Sequence, residues 1–272
     1  MSNEDRMADR IKKLTDIGIS LSVEKDTEKL LESILVGAKE ISNADAGTLY
    51  TVHETTDGEK MIRMESLKND TLGLSERRTG LESTTSPDIP MYNPDGTKNI
   101  RNVVSFTVHS GETVNIEDAY NHEGFDFSGM RRIAKALGYH SKSFLSVPMA
   151  NHLGEIIGVL QLINAQDDAS KALIPFSATI QKLVESLASQ AAIALTKQQL
   201  INEQKTLLES IIQLVATAID DKSPYTGEHC RRVPVLTMML ADAAHETEDG
   251  TLKSFRMSPE DRYELEIAAW LH

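Results

Sequence analysis

Residues 143–166 read SFLSVPMANHLGEIIGVLQLINAQ, and this stretch decides the fold class. Ser143–Met149 has the composition and length of a strand, and Asn151-His152-Leu153-Gly154 is a turn. Glu155–Asn164 is an apolar run short enough for a strand covered on both faces. Two strands joined by so short a turn must pair antiparallel.

Outward on the C-terminal side lies FSATIQKLVESLASQAAIALTKQQLINEQKTLLESIIQLVATAIDD, residues 176–221. It contains neither Gly nor Pro, and Ala, Leu, Gln, Glu and Lys favour one long helix. A seven-residue spacing links Ile193, Leu200, Leu207 and Leu214, with Ala194, Ile201, Leu208 and Val215 beside them. Ile211 and Ala218 supply half of a second heptad position, which Lys197 and Gln204 interrupt. The pattern predicts a linker helix that pairs with a second copy of itself.

On the N-terminal side, Met7, Ile11, Leu14 and Ile17 predict a helix over 4–22. A second starts at Asp26 or Thr27, with Leu30, Leu31, Ile34, Leu35, Ala38 and Ile41 on one face. From Ala46 the rhythm becomes alternating, and Asp57-Gly58 turns the chain toward Met61, Ile62 and Met64 as a hairpin. Residues 69–102 lack periodicity and read as a long loop. Val103–Val108 reads as a strand, Val114–Ile116 as another, and Phe125–Leu137 as a helix capped by Asp126 or Ser128 and stopped by Gly138. Helices and strands in this order predict an α+β fold on a six-stranded antiparallel sheet.

The 272 residues carry a net charge of −13, which argues against a broad nucleic-acid or anionic membrane surface. The single Cys230 allows no intrachain disulfide and fits a reducing compartment. The N-terminus lacks the apolar core of a signal peptide, and no stretch is long and apolar enough to span a bilayer. These features predict a cytoplasmic protein. There is no Gly-rich phosphate loop, nucleophile motif or kinase signature.

Four segments together, VNIEDAY (114–120), FDFSGMRR (125–132), LGYHSKSFLSVPM (137–149) and GEIIGVLQLINAQ (154–166), resemble a GAF domain of the phosphodiesterase-associated type. The resemblance covers roughly residues 10–198. It implies a small-molecule pocket on one sheet face and a homodimer through the N- and C-terminal helices. It places Phe106, Asp118, Ala119, Phe125, Phe127, Tyr139, Ser143 and Asn164 around the pocket, with the Asp118-Ala119 amides as an anchor for a ligand's polar edge. The alternative for Phe125, Phe127 and Tyr139 is that they simply fill core. Members that bind cyclic AMP or GMP carry an Asn-Lys…Phe…Asp-Glu signature. Asn164 and Phe176 match it, but Ala165 replaces the Lys, and Ile180 and Gln181 replace the acidic pair. The ligand is left unnamed.

A second resemblance begins in the linker. AIDDKSPYTGEHCRRVPVLTMMLADAA (218–244) and SPEDRYELEIAAWLH (258–272) resemble the opening of an HD-GYP domain, a metal-dependent phosphohydrolase family many of whose members cleave cyclic di-GMP. The resemblance makes His229 and His272 ligands for a divalent iron or manganese ion, and its consecutive His-Asp pair is cut after the His. Two imidazoles without a carboxylate are too few to hold a hydrolytic ion and activate its water. The chain is therefore expected to be inactive as a phosphodiesterase. The resulting plan is a dimerisation helix at 1–22, a sensory domain at 23–198, a coiled-coil linker at 199–221 and a partial HD-GYP-like helical domain at 222–272. The leading function is a small-molecule sensor that regulates a C-terminal phosphohydrolase. The alternatives are a purely structural dimerisation scaffold and a cyclic AMP or GMP-binding regulatory module.

Overall fold

A computed structural model describes residues 3–77, 87–222 and 229–271. The chain divides into two compact units, Met1–Gln198 and Gln199–His272.

The first unit is a mixed sheet-and-helix layer. Its helices are α1 (Asn3–Val23), α2 (Thr27–Ser42), α3 (Val103–Ser110), α4 (Ser128–Leu137) and the first part of α5 (Ala178–Lys222). Its strands are β1 (Ala44–Glu54), β2 (Lys60–Asn69), β3 (Leu74–Arg77), β4 (Ile89–Pro90), β5 (Val114–Ile116), β6 (Phe144–Ala150), β7 (Ile156–Gln166) and β8 (Leu173–Ile174). The sheet runs β3-β2-β1-β7-β6-β5, with β4 on β2 and β8 on β7, and all its pairings are antiparallel.

One face of this sheet packs on α1, α2 and α5. Leu49, Leu145, Leu160 and Leu162 meet Ile34, Leu35, Val184, Leu187 and Ala191 in a core with almost no solvent contact. Asp26 starts α2, its carboxylate accepting from the amides of Glu28 and Lys29. The opposite face carries two smaller apolar clusters, one around Ile62, Val104 and Val159 and one around Phe127, Phe144 and Ile116.

Central positions of the sheet tolerate little change. A Cβ on Gly158 would stand 2.3 Å from the Tyr50 carbonyl oxygen and 2.6 Å from Met149 Cε. The first obstacle is backbone in the neighbouring strand, which cannot swing aside. Gly158→Val is expected to lower stability by about 3 kcal/mol, the upper range for overpacking a core. Urea denaturation followed by far-UV circular dichroism measures it.

The expected strand at Val103–Val108 is a helix. Asn102 accepts from the amides of Val104 and Ser105, and Gly111, at φ 67°, closes the other end by donating to the Thr107 carbonyl. Val103, Val104, Thr107 and Val108 are buried together, a helical spacing that outweighs their β-branched propensity. The expected helix from Phe125 begins only at Ser128, because Asp126 accepts from the Ser128 amide in a turn before it. The stretch read as a featureless loop supplies β3 and β4, while its residues 78–86 lie outside the described residues. The six-strand path is thus completed by β3 and not by residues 103–108.

The second unit is helical, with the end of α5, α6 (His229–Glu246) and α7 (Pro259–Leu271). Ser258 caps α7 reciprocally: its hydroxyl accepts from the Asp261 amide while Asp261 accepts from the Ser258 amide. Arg262 on α7 holds Asp242 on α6 with both guanidinium nitrogens.

Along α5, Ile180, Val184, Leu187, Ala191, Ala194 and Gln198 alternate four and three apart and are all buried. Ile193, Leu200, Leu207 and Leu214 are 61, 48, 61 and 69 % exposed. The sequence's heptad is therefore the outward stripe, and the inward one follows a different frame. Beyond residue 198, burial returns along α5 at Ile212 and Ala216.

Candidate functional site

The sheet face opposite α1 and α2 carries the site. Residues 117–128 cross this face between β5 and α4, and the turn is built from its own side chains. Asp118 accepts from the Tyr120 amide and the Asn121 side chain, and the Ala119 amide donates to the Lys142 carbonyl at 2.8 Å. The Ala119 amide, expected as a ligand anchor, is thus spent inside the protein.

An open cavity of about 530 Å³ lies against this segment, lined among others by Arg101, Tyr120, His122, Phe125, Phe127 and Arg131. Its volume falls in the range of small-molecule sites. Phe125 is part of its lining: His122 stacks on it at 5.4 Å with planes 17° apart, and Phe106 meets it edge-on at 5.3 Å. Phe127 is buried and packs 5.3 Å from Phe144 on β6, which ties the cavity wall to the sheet. The wall combines aromatic rings with the guanidinium groups of Arg101 and Arg131 and the carboxylates of Glu123 and Asp126, suited to a planar group carrying hydrogen-bonding substituents.

Asp126, also on the wall, has its carboxyl held below the ordinary 3.8. The Ser128 amide is the largest cause, followed by the Ser128 hydroxyl, with Arg101 and Arg132 adding to it and burial opposing. A carboxyl whose folded value is depressed stabilises the fold above its unfolded value, and that contribution fades as pH falls through the folded one. The first turn of α4 is therefore expected to loosen below about pH 4, where carboxylates take up protons. Hydrogen exchange at Ser128–Arg131, corrected for intrinsic rates, should rise there in the native chain and lose that pH dependence in Asp126→Asn.

The eight residues expected around the pocket separate into two groups. Phe106, Phe125 and Phe127 come together, with Asp118 and Ala119 in the turn beside them. Tyr139, Ser143 and Asn164 are committed elsewhere. Asn164, 2 % exposed and at φ 60°, accepts from the Lys142 amide and donates to the Tyr139 hydroxyl and the His140 carbonyl. Burial and then the neighbouring carboxylate of Asp45 push the Tyr139 phenol above its ordinary value, so it stays protonated. Ser143 donates to the Ile174 carbonyl and accepts from the Ala165 amide. These three residues clamp the 139–143 loop onto β7 and β8.

Arg101, Tyr120, His122 and Arg131 line the cavity without having been singled out. His122 was legible only through its neighbours, two residues after an aromatic and three before another, a spacing that has no fixed meaning in a loop. Tyr120 is held by His140, whose Nδ1 is 3.1 Å from its hydroxyl. At the positions of the cyclic-nucleotide signature, Ala165 and Ile180 belong to the helix-side core, and the Gln181 side chain bonds Asn115 and Glu185. Apolar packing and the hydrogen bonds of Gln181 stand in the place of a Lys–Asp bridge.

Of the expected metal ligands, His272 and the side chain of His229 lie outside the described residues, as does the Pro224-Tyr225-Thr226 segment. Among the described residues no three His, Cys, Asp or Glu side chains converge to hold a metal ion. No helix among them is long and apolar enough to cross a membrane.

Comparison with known proteins agrees with this architecture. The sequence profile of the GAF domain family matches residues 26–195, more than half of the chain. The chain is 24% identical over 257 residues to the dual 3',5'-cyclic-AMP and -GMP phosphodiesterase 11 of Drosophila melanogaster, and 28% identical over 207 residues to phosphodiesterase 11A of Takifugu rubripes. The matches cover 88% and 74% of the chain but only 16% and 21% of those enzymes, so the chain corresponds to a small part of their length. Among solved structures, the free methionine-R-sulfoxide reductase of Neisseria meningitidis, in complex with its substrate, superposes with a TM-score of 0.51 at 18% identity, over 74% of this chain and 95% of that one. The GAF domain of a phosphoenolpyruvate-protein phosphotransferase from Coxiella burnetii gives 0.50 at 17% identity, over 74% and 99%. At such identities the likeness is one of fold.

Proposed function

The chain belongs to the GAF domain family, and from that premise we propose that it is a small-molecule sensor whose ligand occupies the cavity beside Phe125. The observation that carries this reading is the wall itself. A stacked His122–Phe125 pair, together with Arg101 and Arg131, lines an open cavity of about 530 Å³ against a turn whose own side chains bond its backbone.

Native mass spectrometry of the freshly purified protein, with thermal shifts against a metabolite set, tests it. A retained mass, or a ligand that raises the melting temperature, is expected, and Phe125→Ala with Arg131→Ala should abolish either effect. If neither appears, the first unit serves as a dimerisation scaffold. Ala165 and Ile180 in the apolar core weigh against a ligand held as cyclic AMP or GMP is through the Lys–Asp signature.

The sensor acts as a homodimer paired through α1 and α5. Ile11, Ile19 and Val23 on α1 and the Ile193–Leu200–Leu207–Leu214 stripe on α5 leave apolar surface exposed, which a second copy covers in coiled-coil fashion. Ligand occupancy then biases the register of the α5 pair, since Lys197 and Gln204 prevent one frame from dominating.

The second unit is of HD-GYP type, a phosphohydrolase family many of whose members act on cyclic di-GMP. Support comes from residues 224–233 and 268–272 in the sequence and from the all-helical, Ser258-capped arrangement of α6 and α7. Assay of the 272-residue chain with manganese or iron and cyclic di-GMP is expected to show no turnover, and clear turnover would overturn that expectation.

A further inference from the structure

We propose that the second unit carries a binding site for an alkylammonium group between α5 and α7. Two helical faces meet there. On α5, Lys205, Glu209, Ile212 and Gln213 fall on one side at helical spacing, and on α7 Tyr263, Glu266, Ile267 and Trp270 do the same. Except for Lys205, these residues line a cavity of about 90 Å³. That is room for a head group and not for a whole metabolite.

Facing helices ordinarily fill such positions with aliphatic side chains. Here only Ile212 and Ile267 do so. The remaining five groups are two carboxylates, the Gln213 amide, an indole and a phenol. The Tyr263 hydroxyl is enclosed and has no hydrogen-bond partner among the described residues. An alkylammonium brings three donors and one positive charge. It satisfies the Tyr263 oxygen and the Glu209 and Glu266 carboxylates, and it lies against aromatic faces that attract cations.

The chain itself shows the preference. The Lys205 ammonium lies 5.4 Å from the Tyr263 ring centroid, within cation–π range. Lys205 is thus an internal competitor at the margin of the site. This site is separate from the GAF cavity and does not depend on what that cavity binds.

Trp270 is the only tryptophan in the sequence, so its fluorescence reports the site without labelling. The full chain is titrated with cadaverine at constant ionic strength set with sodium chloride. A saturable change in Trp270 emission is expected. Glu209→Gln with Glu266→Gln should raise Kd about tenfold or more, and Lys205→Met should lower it about threefold, the size of one exposed cation–π contact. Nα-acetyllysine amide, titrated in parallel, separates the sources: tighter binding than cadaverine assigns the site to a protein lysine, weaker binding to a free polyamine.

Absence of a saturable change overturns the proposal. So does an unaltered Kd in the double Gln variant, or tetramethylammonium, which has no donors, binding as tightly as cadaverine. If the double variant loses its far-UV dichroism, Tyr263→Phe carries the test in its place. It removes only the hydroxyl and should weaken cadaverine about tenfold or more, as expected for one hydrogen bond to a charged group.

Discussion

Asn164→Ala is expected to lower the stability of the first unit by about 4 kcal/mol, which hydrogen exchange of the β7 amides would read as faster global opening. The side chain is 2 % exposed and engages the Lys142 amide, the Tyr139 hydroxyl and the His140 carbonyl. Alanine leaves these groups without a partner in the interior, at about 1–3 kcal/mol for each buried group left unsatisfied. It must also hold φ 60°, a left-handed conformation that asparagine tolerates and alanine does not, at about 1–2 kcal/mol. Asn164→Gly separates the two causes. It relieves the backbone while losing the same hydrogen bonds, so it should recover about 1 kcal/mol and no more. Full recovery in the glycine variant would show that the clamp contributes nothing. Because Asn164 holds the 139–142 loop, and Lys142 in turn accepts from Ala119 through its carbonyl, the alanine variant should also weaken any ligand bound beside Phe125.

Leu200→Glu, Leu207→Glu and Leu214→Glu together are expected to convert a dimer of about twice 30.1 kDa into monomer, as read by light scattering across a dilution series. The three leucines are 48, 61 and 69 % exposed and face away from the buried stripe of the first unit. Their replacement therefore removes no intrachain core contact, and far-UV dichroism should be retained. Each leucine buried at a dimer seam contributes about 1.5–3 kcal/mol by area. Carboxylates brought together across the seam add repulsion. A dimer that survives the triple change would move the interface to α1 or to another face. A wild-type chain that is monomeric at high concentration would refute the pairing altogether.

How far the sequence carries the reader depends on the residue. The β6–turn–β7 hairpin was legible because apolar residues, a four-residue turn and a second apolar run leave few other solutions. Helices α1 and α2 were legible through helical spacing and, for α2, the Asp26 cap that the structure uses. At residues 103–108 the same logic misled. Valine and threonine favour strands locally, and the deciding signals were the flanking Asn102 and Gly111. The site was half legible: Phe106, Phe125 and Phe127 converge, while Tyr139, Ser143 and Asn164 turn out to hold the loop. A polar side chain in a motif does not disclose whether it faces a ligand or its own backbone.

The sequence by itself determined the α+β class, the antiparallel hairpins, the long helix and the family. The first three follow from periodicity, capping and turn chemistry, which are local along the chain, and the family follows from the resemblance of segments 114–120, 125–132, 137–149 and 154–166. Only the tertiary structure decided which of two stripes on α5 is buried, because both have nearly the same spacing and differ only in what stands opposite. It likewise decided that the Ala119 amide is already bonded and that Arg101, His122 and Arg131 share a cavity wall. Those facts depend on distances between residues far apart in sequence, and one-dimensional spacing does not encode them.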